Sequence, residues 1–333
     1  MINGLHAAHR GTIPRVTPTP LMVFDTASLY FRSFFGVPNS VTSPDGTPVN
    51  AVRGLMDSLA RLIEQYHPGA IACAWDNDWR PTWRVDLVPS YKAHRVAQVV
   101  GDAAHEVVGA GGTGAVSGQA EEAADELAVQ VPIIREVLAA YGIPVIGVDD
   151  HEADDVLGSL AHQATRPVLV VTGDRDLFQL ATGEVKVIYV GKGVAKHDLV
   201  DSAWVEAKYG VNADQYVDFS VLRGDASDGL PGVAGIGEKS AAQLIQAYGG
   251  LDEIAVAATD PDSGMSNGLR TKLAGAVEYL GPAQVVVQVV TDLDLPSVDD
   301  LESLPWDGER VAALSERWGL GSSAERLNAA LGH

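Results

Sequence analysis

The sequence predicts an α/β fold: a central, mostly parallel sheet flanked by helices, followed by an all-helical part. Three observations carry this reading. Short, nearly all-apolar runs recur up to about residue 190, helical stripes fall between them, and strand patterns stop after about residue 210. Strands buried on both faces read as unbroken apolar runs. Their alternation with amphipathic helices defines the α/β class.

Taken in order, residues 1–20 contain three prolines and few large apolar groups, and read as a flexible tail. LMVFD (21–25) is the first strand. Residues 51–66 form a helix, with Val52, Leu55, Leu59, Leu62 and Tyr66 on one stripe. AIACAW (70–75) is the second strand. An excursion over about 79–130 follows, with GAGGTG and no strong period inside 96–120. IPVIGV (143–148) is the third strand, and residues 153–164 form a helix striped by Ala153, Val156, Leu157, Leu160 and Ala161. PVLVVT (167–172) and VKVIYV (185–190) complete an α/β domain over 21–210. Residues 211–260 read as helix, tight glycine hairpin, helix. Residues 261–333 read as C-terminal helices, including ALSERWG and AERLNAAL.

A chain of 333 residues with 46% hydrophobic content supports a sizeable core and room for two domains. No apolar run is long enough for a membrane span, and the first residues lack the apolar block of a signal peptide. A lone cysteine, Cys73, fits a reducing cytoplasm. Twenty-three Lys and Arg against forty-four Asp and Glu give a formal charge of −21. Taken alone, that argues against nucleic acid as a partner, unless some carboxylates hold divalent cations and invert the local field.

The acids cluster at strand ends. Asp25 closes the first strand, and Asp76 follows the second. Glu152, Asp154 and Asp155 follow the third in HEADD, and Asp174 and Asp176 follow the fourth in TGDRD. In a parallel sheet these carboxyl ends share the edge where ligands bind. A single Asp at a helix start is more often a cap. Seven acids on one edge repel, and need protonation or cations. Oxygen ligands suit Mg²⁺ or Mn²⁺, whereas zinc motifs are missing. Asp225 and Asp228 in RGDASDG would complete a nine-acid basin if the helical part folds against that edge. Such a basin suits two cations roughly 4 Å apart, and hence phosphodiester hydrolysis.

PGVAGIGEKSAAQLI (231–245) resembles a phosphate loop of nucleotide hydrolases, but Glu238 holds the lysine position and no strand precedes it. No nucleotide cofactor is expected. What remains is a helix–hairpin–helix. Gly235 and Gly237 allow close backbone approach, free N–H groups open the second helix, and Lys239 and Ser240 stand beside them. That is a way to grip duplex DNA without reading bases. From Trp79 to Arg95 the chain carries Arg80, Arg84, Lys92 and Arg95 against Asp86, with Trp79, Trp83 and Tyr91 interleaved. This mixture suits phosphate steering and base stacking, or equally, for Trp83, core packing.

LMVFDTASLYFRSFF, AWDNDWRPTWR, SYKAHR, HEADDVLGSLA, TGDRDLFQLA and GDASDGLPGVAGIGEKSA together resemble the bacterial 5′-nuclease and flap-endonuclease family, also found as the front domain of DNA polymerase I. The resemblance implies a fold of the PIN/5′-nuclease type with a DNA-binding helix–hairpin–helix subdomain. It implies Asp25, Asp76, Glu152, Asp154, Asp155, Asp174, Asp176, Asp225 and Asp228 as ligands of two or three Mg²⁺ or Mn²⁺ ions. Lys92, Arg95 and Arg32 become catalytic candidates. Arg80, Arg84, Gly235, Gly237, Lys239 and Ser240 become DNA contacts, with K⁺ a further candidate at the hairpin. The implied activity is 5′-3′ exonuclease and flap endonuclease cleavage at junctions of single- and double-stranded DNA, leaving 5′ phosphate and 3′ hydroxyl in replication and repair. A free-standing, monomeric, cytoplasmic enzyme is expected. Two alternatives stay open: an RNA-directed nuclease of the same fold, and a catalytically silent junction binder. The chain departs from the family pattern with Gly229 and His94 in place of Asn, Arg175 in place of Lys and Thr26 in place of Gly.

Overall fold

The computed structural model describes residues 18–94, 126–297, 301 and 305–333. Arg95, the 96–120 excursion and residues 1–17 of the expected tail lie outside the described residues. Six strands form one sheet: β1 (Leu21–Asp25), β2 (Ala70–Ala74), β3 (Val145–Ile146), β4 (Val168–Thr172), β5 (Val185–Tyr189) and β6 (Asp198–Val200), in the order β3-β2-β1-β4-β5-β6. All neighbours are parallel except β5 and β6. The third strand is shorter than its apolar run predicts. It lies at the sheet edge and opens on Pro144, which accepts from Cys73 but has no N–H to give. Strand β6 has no apolar run and is not legible in the sequence.

The sheet separates two cores, and β1 shows how. Met22 and Phe24 face one, Leu21 and Val23 the other, all fully buried, as the two-residue period of a strand requires. Fully burying each such side chain stabilises the fold by about 1.5–3 kcal/mol. Over the Met22 face pack α1 (Thr26–Gly36), α2 (Asn50–Tyr66) and α4 (Gln130–Ala140), the last following the short α3 (Thr82–Leu87). Over the Leu21 face lie α5 (Ala153–Gln163), α6 (Ser202–Tyr209) and α7 (Tyr216–Arg223). Joined to the same core are α8 (Glu238–Tyr248), α9 (Leu251–Thr259), α10 (Asn267–Ala274) and α11 (Val277–Val287).

The chain then crosses α5 as a strap. Ser159 Oγ donates to Val290 O at 3.1 Å and Gln163 Nε2 to Leu293 O at 2.8 Å. Gly158 makes room, since a β-carbon there would lie 2.7 Å from Val290 O. Finally α12 (Gly308–Trp318) and α13 (Gly321–Leu331) return to the first face, with Arg326 paired to Asp57 at 2.7 Å. Among the described residues no helix is long and apolar enough to cross a membrane.

Candidate metal and nucleic-acid site

The acids at the carboxyl ends of β1, β2 and β4 and at the start of α5 come together with the Asp225–Asp228 turn. Asp25 caps α1 by accepting from the Ser28 N–H at 3.0 Å, and its other oxygen accepts from Thr172 Oγ1 at 2.7 Å. Burial and then Asp76 push its pKa up to about 7. Asp76 in turn accepts from the Ala153 N–H at 2.8 Å, tying β2 to the start of α5. Burial, with Asp174 and Asp25 next in weight, holds Asp154 well above the ordinary carboxylate range. Asp174 is raised by burial and by Asp228, and Asp176 strongly so by burial and by Asp174. The helical part therefore does deliver its acids to the sheet edge. The Lys92 N–H donates to Asp228 O at 2.9 Å, and Arg175 reaches Asp225 at 3.4 Å.

Two of the expected ligands are held differently. Both oxygens of Asp155 are taken. Oδ1 accepts from Arg84 Nη2 at 2.6 Å and the Val290 N–H at 2.9 Å, while Oδ2 accepts from Arg84 Nη1 at 2.8 Å and the Glu152 N–H at 3.3 Å. Asp155 is fully buried, and both its oxygens serve the helix start and the ion pair with Arg84. Glu152 accepts from Arg84 at 2.7 Å and Tyr91 at 2.7 Å through Oε2, and pairs with Lys92 through Oε1. Burial still keeps its pKa raised.

Arg84 also corrects its expected role. At 2% exposure it cannot reach a DNA backbone; it donates to Val286 O at 3.1 Å and holds the strap, α3 and α5 in one buried network. Breaking such a buried pair costs about 3–5 kcal/mol. Tyr91 is likewise core, 4% exposed, with its hydroxyl on Glu152, so it is not a stacking platform. Nothing in the SYKAHR motif itself marks this tyrosine as a carboxylate partner, because the contact to Glu152 spans distant parts of the chain. Trp83 is half-buried, donating to Asp150 O at 3.0 Å.

Lys92 lies in the SYKAHR motif. It occupies a tight turn with φ 49°, 7% exposed, beside Glu152. Arg80 supports that turn by donating to Tyr91 O at 2.7 Å and Pro89 O at 3.3 Å. Arg32 donates to Gly173 O and Gly191 O, both at 3.2 Å, and so braces the loop that carries Asp174. Gly235, Gly237 and Lys239 are exposed and Ser240 half-buried, at the start of α8.

Among the described residues no three acids form a ready-made cage around one point. The donor set nonetheless fits hard divalent cations. It is all carboxylate, its members raise one another's pKa, and Asp176 Oδ1 is buried with no hydrogen-bond partner. A buried acceptor without a donor needs either a proton or a cation.

The class is that of a doubly covered, mostly parallel sheet with acids gathered at its carboxyl edge and a helical hairpin alongside. Residues 20–210 match the family described as 5′-3′ exonuclease, N-terminal resolvase-like domain, and residues 211–309 that described as 5′-3′ exonuclease, C-terminal SAM fold. The chain belongs to the 5′-3′ exonuclease family. It is 48% identical over 309 residues to a 5′-3′ exonuclease of Streptomyces coelicolor, covering 92% of this chain and 98% of the relative. A 5′-3′ exonuclease of Mycobacterium tuberculosis is 47% identical over 324 residues, covering 94% and 98%. The bacteriophage T5 flap endonuclease, solved with DNA and metal ions, shares the fold with a TM-score of 0.62 at 16% identity, over 94% of this chain and 100% of that one.

Proposed function

We propose that this protein is a divalent-metal-dependent, structure-specific 5′ nuclease. It hydrolyses DNA at junctions of single and double strand, leaving 5′ phosphate and 3′ hydroxyl, and serves primer and flap removal in replication and repair. The observation that carries this reading is the set of desolvated, mutually repelling acids at Asp25, Asp154, Asp174 and Asp176, beside the buried Lys92. Together with Asp76 and Asp228 these acids would hold Mg²⁺ or Mn²⁺, with Glu152 and Asp225 at the margins. When bound, such cations supply a polarised water for attack and neutralise the departing oxygen.

The chain's own residues do the rest. Lys92 offers its ammonium to the incoming phosphate while Glu152 fixes where it stands. Arg32 and Arg80 brace the Asp174 loop and the Lys92 turn, which keeps the charges preorganised. Gly235, Gly237, Lys239 and Ser240 grip the duplex backbone without reading sequence. The enzyme works as a monomer in the cytoplasm and needs no nucleotide cofactor.

The test is incubation with 5′-end-labelled flap, nicked and single-stranded DNA, with Mg²⁺ and with EDTA. Short labelled products from the flap in Mg²⁺ alone are expected. Binding without cleavage would reduce the protein to a junction binder, and preferential cleavage of RNA would redirect the substrate class.

A further inference from the structure

The end of α7 lies between the acids of the sheet edge and the hairpin. Gly224, φ 78°, turns the chain there so tightly that a β-carbon on it would lie 2.7 Å from Gly232 N. The Val233 N–H donates to Leu222 O at 3.0 Å, which holds the entry of the hairpin against α7. Arg223, the last residue of α7, fills this junction with its side chain 9% exposed. Its guanidinium lies 5.2 Å from the centroid of the Phe219 ring, and Nε donates to Gly224 O at 3.0 Å. Nη2 donates to Asp225 Oδ2 at 3.2 Å. Among the described residues the buried Nη1 has no hydrogen-bond partner. It stands 3.6 Å from Oε1 of Glu238, in the first turn of α8.

We propose that Arg223 is a positioning residue for cleavage: its fork spans the Asp225–Asp228 turn and the start of α8, so that a duplex seated on the hairpin fixes the acids at the sheet edge. This rests on the reading of the site as a nuclease with the hairpin as its duplex grip. A buried guanidinium N–H without an acceptor is costly, and Glu238 is one short movement from satisfying it. Glu238 has the freedom to move, since its side chain is 60% exposed. A phosphate arriving at the start of α8 repels the Glu238 carboxylate, and Arg223 offers that carboxylate a buried cation to close on. With the gap closed, the planar fork is held at both ends, and Asp225 shifts only together with α8. Arg175 reaches the same Asp225 oxygen at 3.4 Å from the loop after β4, so Arg223 supplies the hold from the hairpin side.

The experiment measures single-turnover cleavage in Mg²⁺ and anisotropy binding in EDTA, for a flap substrate and for a single strand of the same sequence. Glu238→Gln should keep the wild-type thermal midpoint and bind the flap at least as tightly, yet cut it about tenfold more slowly, with single-strand cleavage unchanged. Arg223→Met should slow flap cleavage at least as much. Arg223→Lys should recover part of that loss, because it keeps the charge without the fork. The double protein, Arg223→Met with Glu238→Gln, should be no slower than Arg223→Met alone, as two residues acting through one contact require. If Arg223→Met fails to fold, Glu238→Gln, at an exposed side chain, decides. A wild-type rate of Glu238→Gln on the flap, equal slowing on the single strand, or additive losses in the double protein would overturn the proposal and leave the nuclease reading standing. A wild-type protein that binds the flap in EDTA and cuts neither substrate in Mg²⁺ sinks that reading, and the proposal with it.

Discussion

Lys92 adopts a left-handed backbone, φ 49°, that costs a non-glycine residue energy unless its surroundings impose it. They do: its N–H is held by Asp228 O, its ammonium by Glu152 and Trp79 O, and its turn by Arg80. A positive charge fixed beside desolvated acids is the arrangement for meeting a phosphate. Lys92→Ala should lower the cleavage rate by about 10²–10³-fold while changing duplex affinity little. Rate and affinity falling together in single-turnover and binding assays would make it a phosphate anchor only. The sequence made Lys92 visible through its motif but not its turn, which depends on the Asp228 carbonyl, a contact far away in the chain. It was also blind to the difference between Asp154 and Asp155. The two are adjacent and both acidic, and only packing tells that Asp155 is closed off by Arg84.

Between elements, the contact that unites the site is the one joining the Ser90–Lys92 turn to the Asp225–Asp228 turn. Gly229 stands at their junction with φ 69°, and a β-carbon on it would lie 2.0 Å from Ser90 O. Gly229→Ala should therefore push the two turns apart and displace Lys92 from Glu152. We expect stability to drop by about 1–3 kcal/mol and cleavage to fall by about 10²-fold, with duplex binding retained. Urea denaturation and single-turnover cleavage check this, and a variant of normal rate would show that the turns are independent. Arg175 illustrates the same coupling, because its guanidinium spans the loop after β4 and the Asp225 turn. The strands and the striped helices were legible because their periodicity is local. The strap over α5, the short β3 and the antiparallel β6 were not, since edge pairing and side-chain-to-backbone bonds leave no period.

At the scale of the whole molecule, the surplus of acids that seemed to argue against DNA includes a basin where two parts of the chain converge. Raised carboxyls stabilise the fold only while protonated. For Asp25 that contribution is complete below the ordinary Asp value near pH 4 and is lost as pH rises through about 7. Glu152, Asp154, Asp174 and Asp176 shift in the same direction and add to the same loss. Cations that bind the ionised acids should reverse it. The most direct measurement is the thermal midpoint of the wild-type protein from about pH 5 to pH 9, in EDTA and in Mg²⁺ or Mn²⁺. In EDTA the midpoint should fall across this range, and the gain from the cation should grow with pH and shrink in Asp174→Asn. A midpoint that neither falls with pH in EDTA nor responds to either cation would contradict the claim that these acids form a shared cation site.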